Sequence, residues 1–180
     1  MINDMESILL TEEELQRRIA QMGREISRDY EGKEPLFIGV LKGCFVFMAD
    51  LMRQVTIPCG VDFMVVSSYG KSTNTTGAVE IIKDLSQDVY GRHLVIVEDI
   101  LDTGITLSYL TKYLKNRSPA SVSIATLLDK PERRRAEVAA KYVGFTVPDA
   151  FVVGYGLDYA ETYRNLPYIG ILKPSVYGGE

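Results

Sequence analysis

Residues Leu94 to Leu107 read LVIVEDILDTGITL. Four apolar residues, two adjacent acids and two more apolar residues are followed by Asp-Thr-Gly-Ile-Thr. That string opens a stretch, Thr106 to Asn116, in which Leu107, Leu110 and Leu114 share one helical face. A run that is apolar throughout, rather than alternating, predicts a strand buried on both sides. Working outward, similar runs occur at Leu36 to Val40, Val61 to Ser67, Val79 to Ile82, Val122 to Leu128, Phe151 to Gly154 and Tyr168 to Leu172, with a second crossover helix expected over Phe45 to Gln54. The fold class is α/β, a mostly parallel central sheet flanked by helices, and in such sheets ligands gather beyond the carboxyl ends of the strands.

Thr11 with Glu14 matches a capping box. Leu15, Ile19, Met22 and Ile26 then recur at helical spacing, so residues 11–29 should form an amphipathic packing helix. By contrast Ser67 to Gly77, SSYGKSTNTTG, is polar, holds two glycines and has too little apolar mass to pack, which predicts a mobile loop of the kind that serves as a lid.

A chain of 180 residues with 46% apolar residues is the size of one domain and can bury roughly two thirds of its unfolded surface. No repeat or linker divides it, so residues 1–180 read as a single unit. No apolar stretch approaches the roughly 20 residues of a membrane helix, and Met1 to Leu10 lacks a basic start and apolar core, so the expectation is a soluble, unexported, cytoplasmic protein. A net charge of -4 and a pI near 5.2 disfavour grip on nucleic-acid phosphates. Arg133, Arg134 and Arg135 read as a solvated helical face. Cys44 and Cys59 belong to no CxxC or Cys/His cluster and read as buried reduced thiols. The single histidine, His93, just precedes an apolar run and reads as the first residue of a strand, which leaves no separate Ser/His/Asp or Cys/His arrangement.

Several motif fragments carry nothing. Gly70-Lys71-Ser72 lacks the earlier glycine of a P-loop, since Val65 stands there. The triplets at Asn74 and Asn116 match glycosylation sites only by pattern, and neither GxGxxG nor zinc-ligand spacing occurs.

The opening stretch is different. Glu98 and Asp99 come where the buried run ends, so their carboxylates could accept hydrogen bonds from ribose hydroxyls or orient a hydrated metal ion. From Asp102 to Thr106, a glycine that admits a ligand to the backbone joins two hydroxyls and the free amides of a helix start, a cradle for a phosphate monoester. For any one residue the plainer reading stands beside it: Asp102 or Thr103 caps the helix and Gly104 makes the turn. Acids followed at once by a phosphate cradle together describe a sugar phosphate.

VIVEDILDTGITL resembles the phosphoribosyl diphosphate signature of the type I phosphoribosyltransferases. Leu41-Lys42-Gly43 resembles that family's pyrophosphate-binding turn, and Ser68-Tyr69-Gly70 the start of its catalytic lid. Phe151 to Leu166, FVVGYGLDYAETYRNL, is similar to the purine- and metal-binding segment of its hypoxanthine-guanine members. These segments span about residues 36 to 172 in the family's order.

The resemblance implies a small hood region above the sheet, a cis peptide in the pyrophosphate turn, and Mg2+ as cofactor. The substrates it implies are phosphoribosyl diphosphate and a 6-oxopurine, with no nucleic-acid or membrane partner, and the assembly a homodimer or homotetramer. Magnesium suits a site with few carboxylates because it keeps waters and takes phosphate oxygens as ligands. By resemblance Asp158 anchors such an ion, with Glu98 and Asp99 on the ribose side as further metal candidates. The Leu41, Lys42 and Gly43 backbone binds pyrophosphate with Arg164, and Ser68 and Tyr69 close over the sugar to exclude water. Asp102 is the general base at purine N7, where like-charge repulsion from the neighbouring phosphate favours proton uptake. Thr103, Gly104, Ile105 and Thr106 hold the 5'-phosphate, and Ile105 stands where some family members carry lysine. Lys130 in LLDKPERR donates to the purine 6-oxygen, which an adenine amino group could not accept. Phe151 stacks on the base and the Val152 backbone meets its edge, although on pattern alone both are ordinary strand core. Two other readings remain open: a regulator that kept a phosphoribosyl-binding fold and senses nucleotides while binding RNA or DNA, and a transferase for xanthine or another 6-oxopurine.

Overall fold

The computed structural model of the chain describes residues 1–68 and 79–178. Among them, in chain order, lie strand β1 (Met5–Leu10), helix α1 (Glu12–Asp29), β2 (Leu36–Leu41), α2 (Phe45–Gln54), β3 (Gly60–Ser68), β4 (Val79–Lys83) and β5 (His93–Leu101). Then follow α3 (Ile105–Lys115), β6 (Ser121–Asp129), β7 (Tyr142–Thr146), β8 (Val152–Val153), β9 (Ile169–Leu172) and the short α4 (Pro174–Tyr177). The expected lid falls almost wholly on residues 69–78, outside the described residues.

The large sheet has the order β4-β3-β2-β5-β6-β7. β2 pairs in parallel with both β3 and β5, and β5-β6 and β6-β7 are also parallel, while β4 runs antiparallel at one edge. Its central strands feed two cores by simple alternation. Leu36, Ile38 and Val40 of β2, with Leu94 and Ile96 of β5, pack under α3 beside Leu107, Leu110 and Leu114. Phe37, Val95 and Val97 point the other way, toward Leu15, Ile19, Met22 and Ile26 of α1 and Phe47, Met48 and Leu51 of α2. Apolar runs without alternation are what such a three-layer arrangement demands. A smaller antiparallel sheet, β1-β9-β8, forms the hood, with its own cluster of Met5, Val153, Tyr163, Leu166 and Leu172.

From β2 the chain proceeds to β3 on one side, and from β5 to β6 and β7 on the other. The strand order therefore reverses between β2 and β5, the place in an open α/β sheet where a crevice opens at the carboxyl ends.

Four expectations need correction. β5 continues to Leu101, beyond the apolar run Leu94 to Val97, so Glu98 and Asp99 come where the fully buried run ends, as expected, but still inside the strand; the chain stays extended because Glu98, Ile100 and Leu101 keep pairing with Thr126, Leu128 and Asp129 of β6. The three arginines do not form a helical face. Pro131–Arg133 is one 3-10 turn, and the chain beyond it is irregular, with Arg134 donating to the Asp102 and Val138 carbonyls and paired with Asp129. β1 and β7 had no distinct apolar signal. β1 exists because β9, far along the chain, pairs with it, and β7 packs so close to β6 that a Cβ at Gly144 would collide with the Leu127 carbonyl. Finally, Cys44 is buried as expected but Cys59 is only half-buried. His93 does begin β5, its Nδ1 lying 2.7 Å from the Ser121 hydroxyl.

Candidate active site

The crevice at the sheet reversal is bounded by the two strand-turn-helix units on either side of it. A cavity of about 240 Å3 there is lined by Leu41 and Gly43 from the β2 turn, Glu98 and Asp99 from β5, and Asp102, Thr103, Gly104 and Thr106 from the following turn. The structure thus brings together most of the residues expected to hold the sugar phosphate. A larger hollow, about 660 Å3, lies behind α3 between Lys112, Lys115, Glu137 and Lys141 and contains none of these groups.

At the β2 end, the Leu41–Lys42 peptide is cis. Gly43 is dictated by space, because a Cβ there would overlap the Asp99 carboxylate. Gly156, at φ +100°, has the same relation to the Gly43 carbonyl. Turn, acid and the loop that follows β8 therefore meet at backbone distance. Lys42 is exposed and its Nζ donates to Glu161 Oε2 at 3.0 Å. Arg164 reaches back from the same loop: Nη1 donates to the Gly156 carbonyl at 2.8 Å, and Nη2 lies 2.9 Å from Asp158 Oδ1 and 3.3 Å from Glu161 Oε1. Its buried Nε has no partner among the described residues. An unsatisfied guanidinium N–H beside the turn is a donor available to an anion.

Glu98 and Asp99 are adjacent and half-buried. Burial, then the Asp99 charge, pushes the Glu98 carboxyl well above its ordinary range; burial also raises Asp99, opposed by hydrogen bonds from Glu98 and from the Ile100 amide. Two carboxylates short of positive charge form a site that a cation would relieve. Asp158 is not gathered with them: no cluster of three acidic, His or Cys groups suited to a metal occurs among the described residues. Its Oδ2 instead accepts from the Glu161 amide at 2.8 Å.

Beyond β5, the first residue of α3 follows Gly104, which is the N-cap in the left-handed region at φ +79° and supplies no side-chain cap. A Cβ at Gly104 would approach Val138 Cγ1 to 2.6 Å. Thr103 Oγ1 meets the Ile105 amide only at 3.4 Å. Neither Asp102 nor Thr103 caps the helix, whose N-cap Gly104 and second residue Thr106 line the cavity. Asp102 faces Arg133, whose Nε is 2.9 Å from Oδ1 but not aimed at it, leaving that oxygen without a directed donor. Arg133 also reaches Asp149 Oδ1 at 3.3 Å. Arg133 is a site residue the sequence did not reveal; its sole signal was proximity to Lys130.

Lys130 is buried, and its Nζ donates to the Ala150 carbonyl at 2.6 Å. Burial lowers its proton affinity, while the nearby Asp102 and Asp149 charges act against that. Two of its three donor hydrogens are left for other acceptors. Phe151 is not strand core: β8 begins after it and the ring is exposed. Val152 is buried in the main core, as its neighbours require. Ser68 ends β3, and Tyr69 lies outside the described residues.

A phosphoribosyl transferase domain model matches residues 6–160 of the chain. The hypoxanthine-guanine phosphoribosyltransferase of Bacillus subtilis (strain 168) is 55% identical over 177 residues, 98% of either chain. A crystal structure of a hypoxanthine phosphoribosyltransferase from Staphylococcus aureus superposes with a TM-score of 0.96 at 51% identity, covering 99% of this chain and 97% of that one. A hypoxanthine-guanine phosphoribosyltransferase structure from Bacillus anthracis gives a TM-score of 0.90 at 46% identity, over 94% of this chain and 99% of that one. Fold and site thus define a phosphoribosyltransferase. Within that class the chain belongs to the hypoxanthine-guanine phosphoribosyltransferase family of purine salvage.

Proposed function

We propose that this chain transfers the phosphoribosyl group of phosphoribosyl diphosphate to hypoxanthine or guanine, yielding IMP or GMP and pyrophosphate. The observation that carries the reading is the uncapped N-terminus of α3, opening directly beside the Glu98–Asp99 pair at the sheet reversal. That is where a 5'-phosphate and the ribose hydroxyls of one molecule would be held together.

The α3 amides and the Thr103 and Thr106 hydroxyls bind the 5'-phosphate, with Gly104 giving the close approach and Ile105 contributing its amide. Glu98 and Asp99 accept from the ribose hydroxyls. The Leu41, Lys42 and Gly43 backbone, with the free Nε of Arg164, receives the pyrophosphate, so the Lys42–Glu161 pair must loosen as it arrives. Glu98, Asp99 and Asp158 would hold Mg2+ as two separate carboxylate groups, which fits an ion that keeps waters and takes phosphate oxygens. When bound, the ion neutralises charge on the leaving group. Ser68 and Tyr69 cover the sugar. Asp102 takes the proton from N7 of the base, so its Arg133 ion pair must loosen as the base arrives. Lys130 donates to the 6-oxygen, Phe151 stacks on the ring, and the Val152 backbone meets its edge.

The test is nucleotide formation from phosphoribosyl diphosphate and magnesium with hypoxanthine, guanine, xanthine or adenine in turn. Product with hypoxanthine and guanine but not adenine is expected. Product with xanthine alone would reassign the substrate, and none with any base despite nucleotide binding would leave a phosphoribosyl-sensing regulator.

A further inference from the structure

We propose that Tyr177, in the last helix, is a positioning residue for the purine, acting by backing Phe151; this rests on the reading of Phe151 as the base-stacking ring. Phe151 lies just before β8, and its carbonyl accepts from the Leu172 amide at 2.9 Å. Phe151 is 37% exposed. The terminal torsion of a phenylalanine has a broad, shallow profile, so a ring in that position needs lateral support to present a fixed plane.

The structure supplies it from one side. The Tyr177 ring lies 4.6 Å from Phe151, centroid to centroid, at an interplanar angle of 20°. Tyr159 meets Phe151 edge-on at 5.6 Å and 88°, and Tyr177 at 6.5 Å and 68°. Tyr177 thus covers one face of the Phe151 ring, and Tyr159 stands across it. Tyr177 belongs to the hood cluster of Met5, Val153 and Leu172, and does not line the sugar-phosphate cavity. In this inference it is the wall behind the stacking ring, and the face of Phe151 away from it is left to the base.

The wall is tied to the other end of the chain. Lys173, which precedes α4, donates its amide to the Asp4 carbonyl at 2.9 Å and its Nζ to the Asn3 carbonyl at 2.6 Å. Tyr163 donates its hydroxyl to Asp4 Oδ2 at 3.1 Å. The two termini thus hold α4 against the hood and, through it, set the plane offered to the base.

Steady-state kinetics with hypoxanthine on purified variants tests this. Tyr177→Ala and Tyr177→Leu, the second keeping apolar volume but not a flat face, should raise KM for the base about three- to tenfold, the range of a lost aromatic stack. Turnover and KM for phosphoribosyl diphosphate should stay within about twofold. Tyr177→Phe should match the unaltered protein, because stacking does not use the hydroxyl. An unchanged base KM in Ala and Leu variants that fold normally, while Phe151→Ala raises it, would overturn the inference and leave the Phe151 reading standing. A lowered base KM would make Tyr177 a competitor for the base and overturn it too. An unchanged base KM in Phe151→Ala would remove the Phe151 reading, and the inference with it.

Discussion

At the start of α1, Glu14 donates its amide to Thr11 Oγ1 at 3.3 Å while its own carboxylate accepts from the Thr11 amide at 2.8 Å, so the helix closes its exposed donors with its own side chains. At the start of α3, the N-cap is a glycine at φ +79° with no side-chain cap, and at α2 the N-cap Cys44 likewise offers none. The closed helix packs against the sheet away from the crevice; the two open ones begin at it. A helix end capped by its own residues gains stability locally and has nothing left for a ligand. An open end forgoes that gain and keeps donors for an anion. The difference separates the parts of this protein that hold the fold from those that do chemistry.

Substitutions at the two kinds of helix end should separate in the same way. The largest effect is expected beside the open end of α3, where Asp102→Asn removes the proposed proton acceptor. Turnover should fall roughly 10²- to 10⁴-fold while binding of phosphoribosyl diphosphate, measured by calorimetry, changes little. Unimpaired turnover would take Asp102 out of the reaction. Next comes the open end of α2. In Gly43→Ala the added methyl would displace the Asp99 carboxylate, and a misplacement of that size should cost on the order of 100-fold in kcat/KM.

Glu98→Gln should pull function and stability in opposite directions. Burial raises this carboxyl, so above its ordinary value near 4.5 the folded chain holds more protons than the unfolded one. Stability contributed by the protonated form is then lost as pH rises from that value through the raised one. The variant should therefore melt higher than the unaltered protein at pH 7 without ligand, converge with it below pH 4.5, and bind phosphoribosyl diphosphate more weakly. A lower melting point at pH 7 would contradict the burial argument.

The smallest change is expected at the closed end of α1. Thr11→Ala should cost about 1 kcal/mol, some 2–4 °C in Tm for a chain of this size, with kcat per folded molecule unaltered. A loss of activity there would break the division between the two kinds of helix end.

Much of this division was legible before folding. The capping box at Thr11 and Glu14 is local chemistry between residues one turn apart, and it forms as read. So do α2 and α3, because apolar period, glycine and hydroxyl placement act within a few residues, and the apolar run Leu94 to Val97 does become strand, though the strand runs on to Leu101. The α/β class follows from strands buried on both faces, a property of each run by itself.

Other features depended on partners far along the chain. β1 exists only in register with β9; Glu98 and Asp99 sit within β5 only because β6 continues beside them. Arg133 reaches Asp102, Lys42 pairs with Glu161, and Tyr177 lies on Phe151 through contacts that no spacing in the sequence encodes. The sequence by itself determined the fold class and which side chains could do the chemistry, since both rest on local pattern. Only the tertiary structure decided which helix ends face the crevice, which charges meet there and which ring lies on Phe151, because those depend on how the strands are ordered and where separate loops converge.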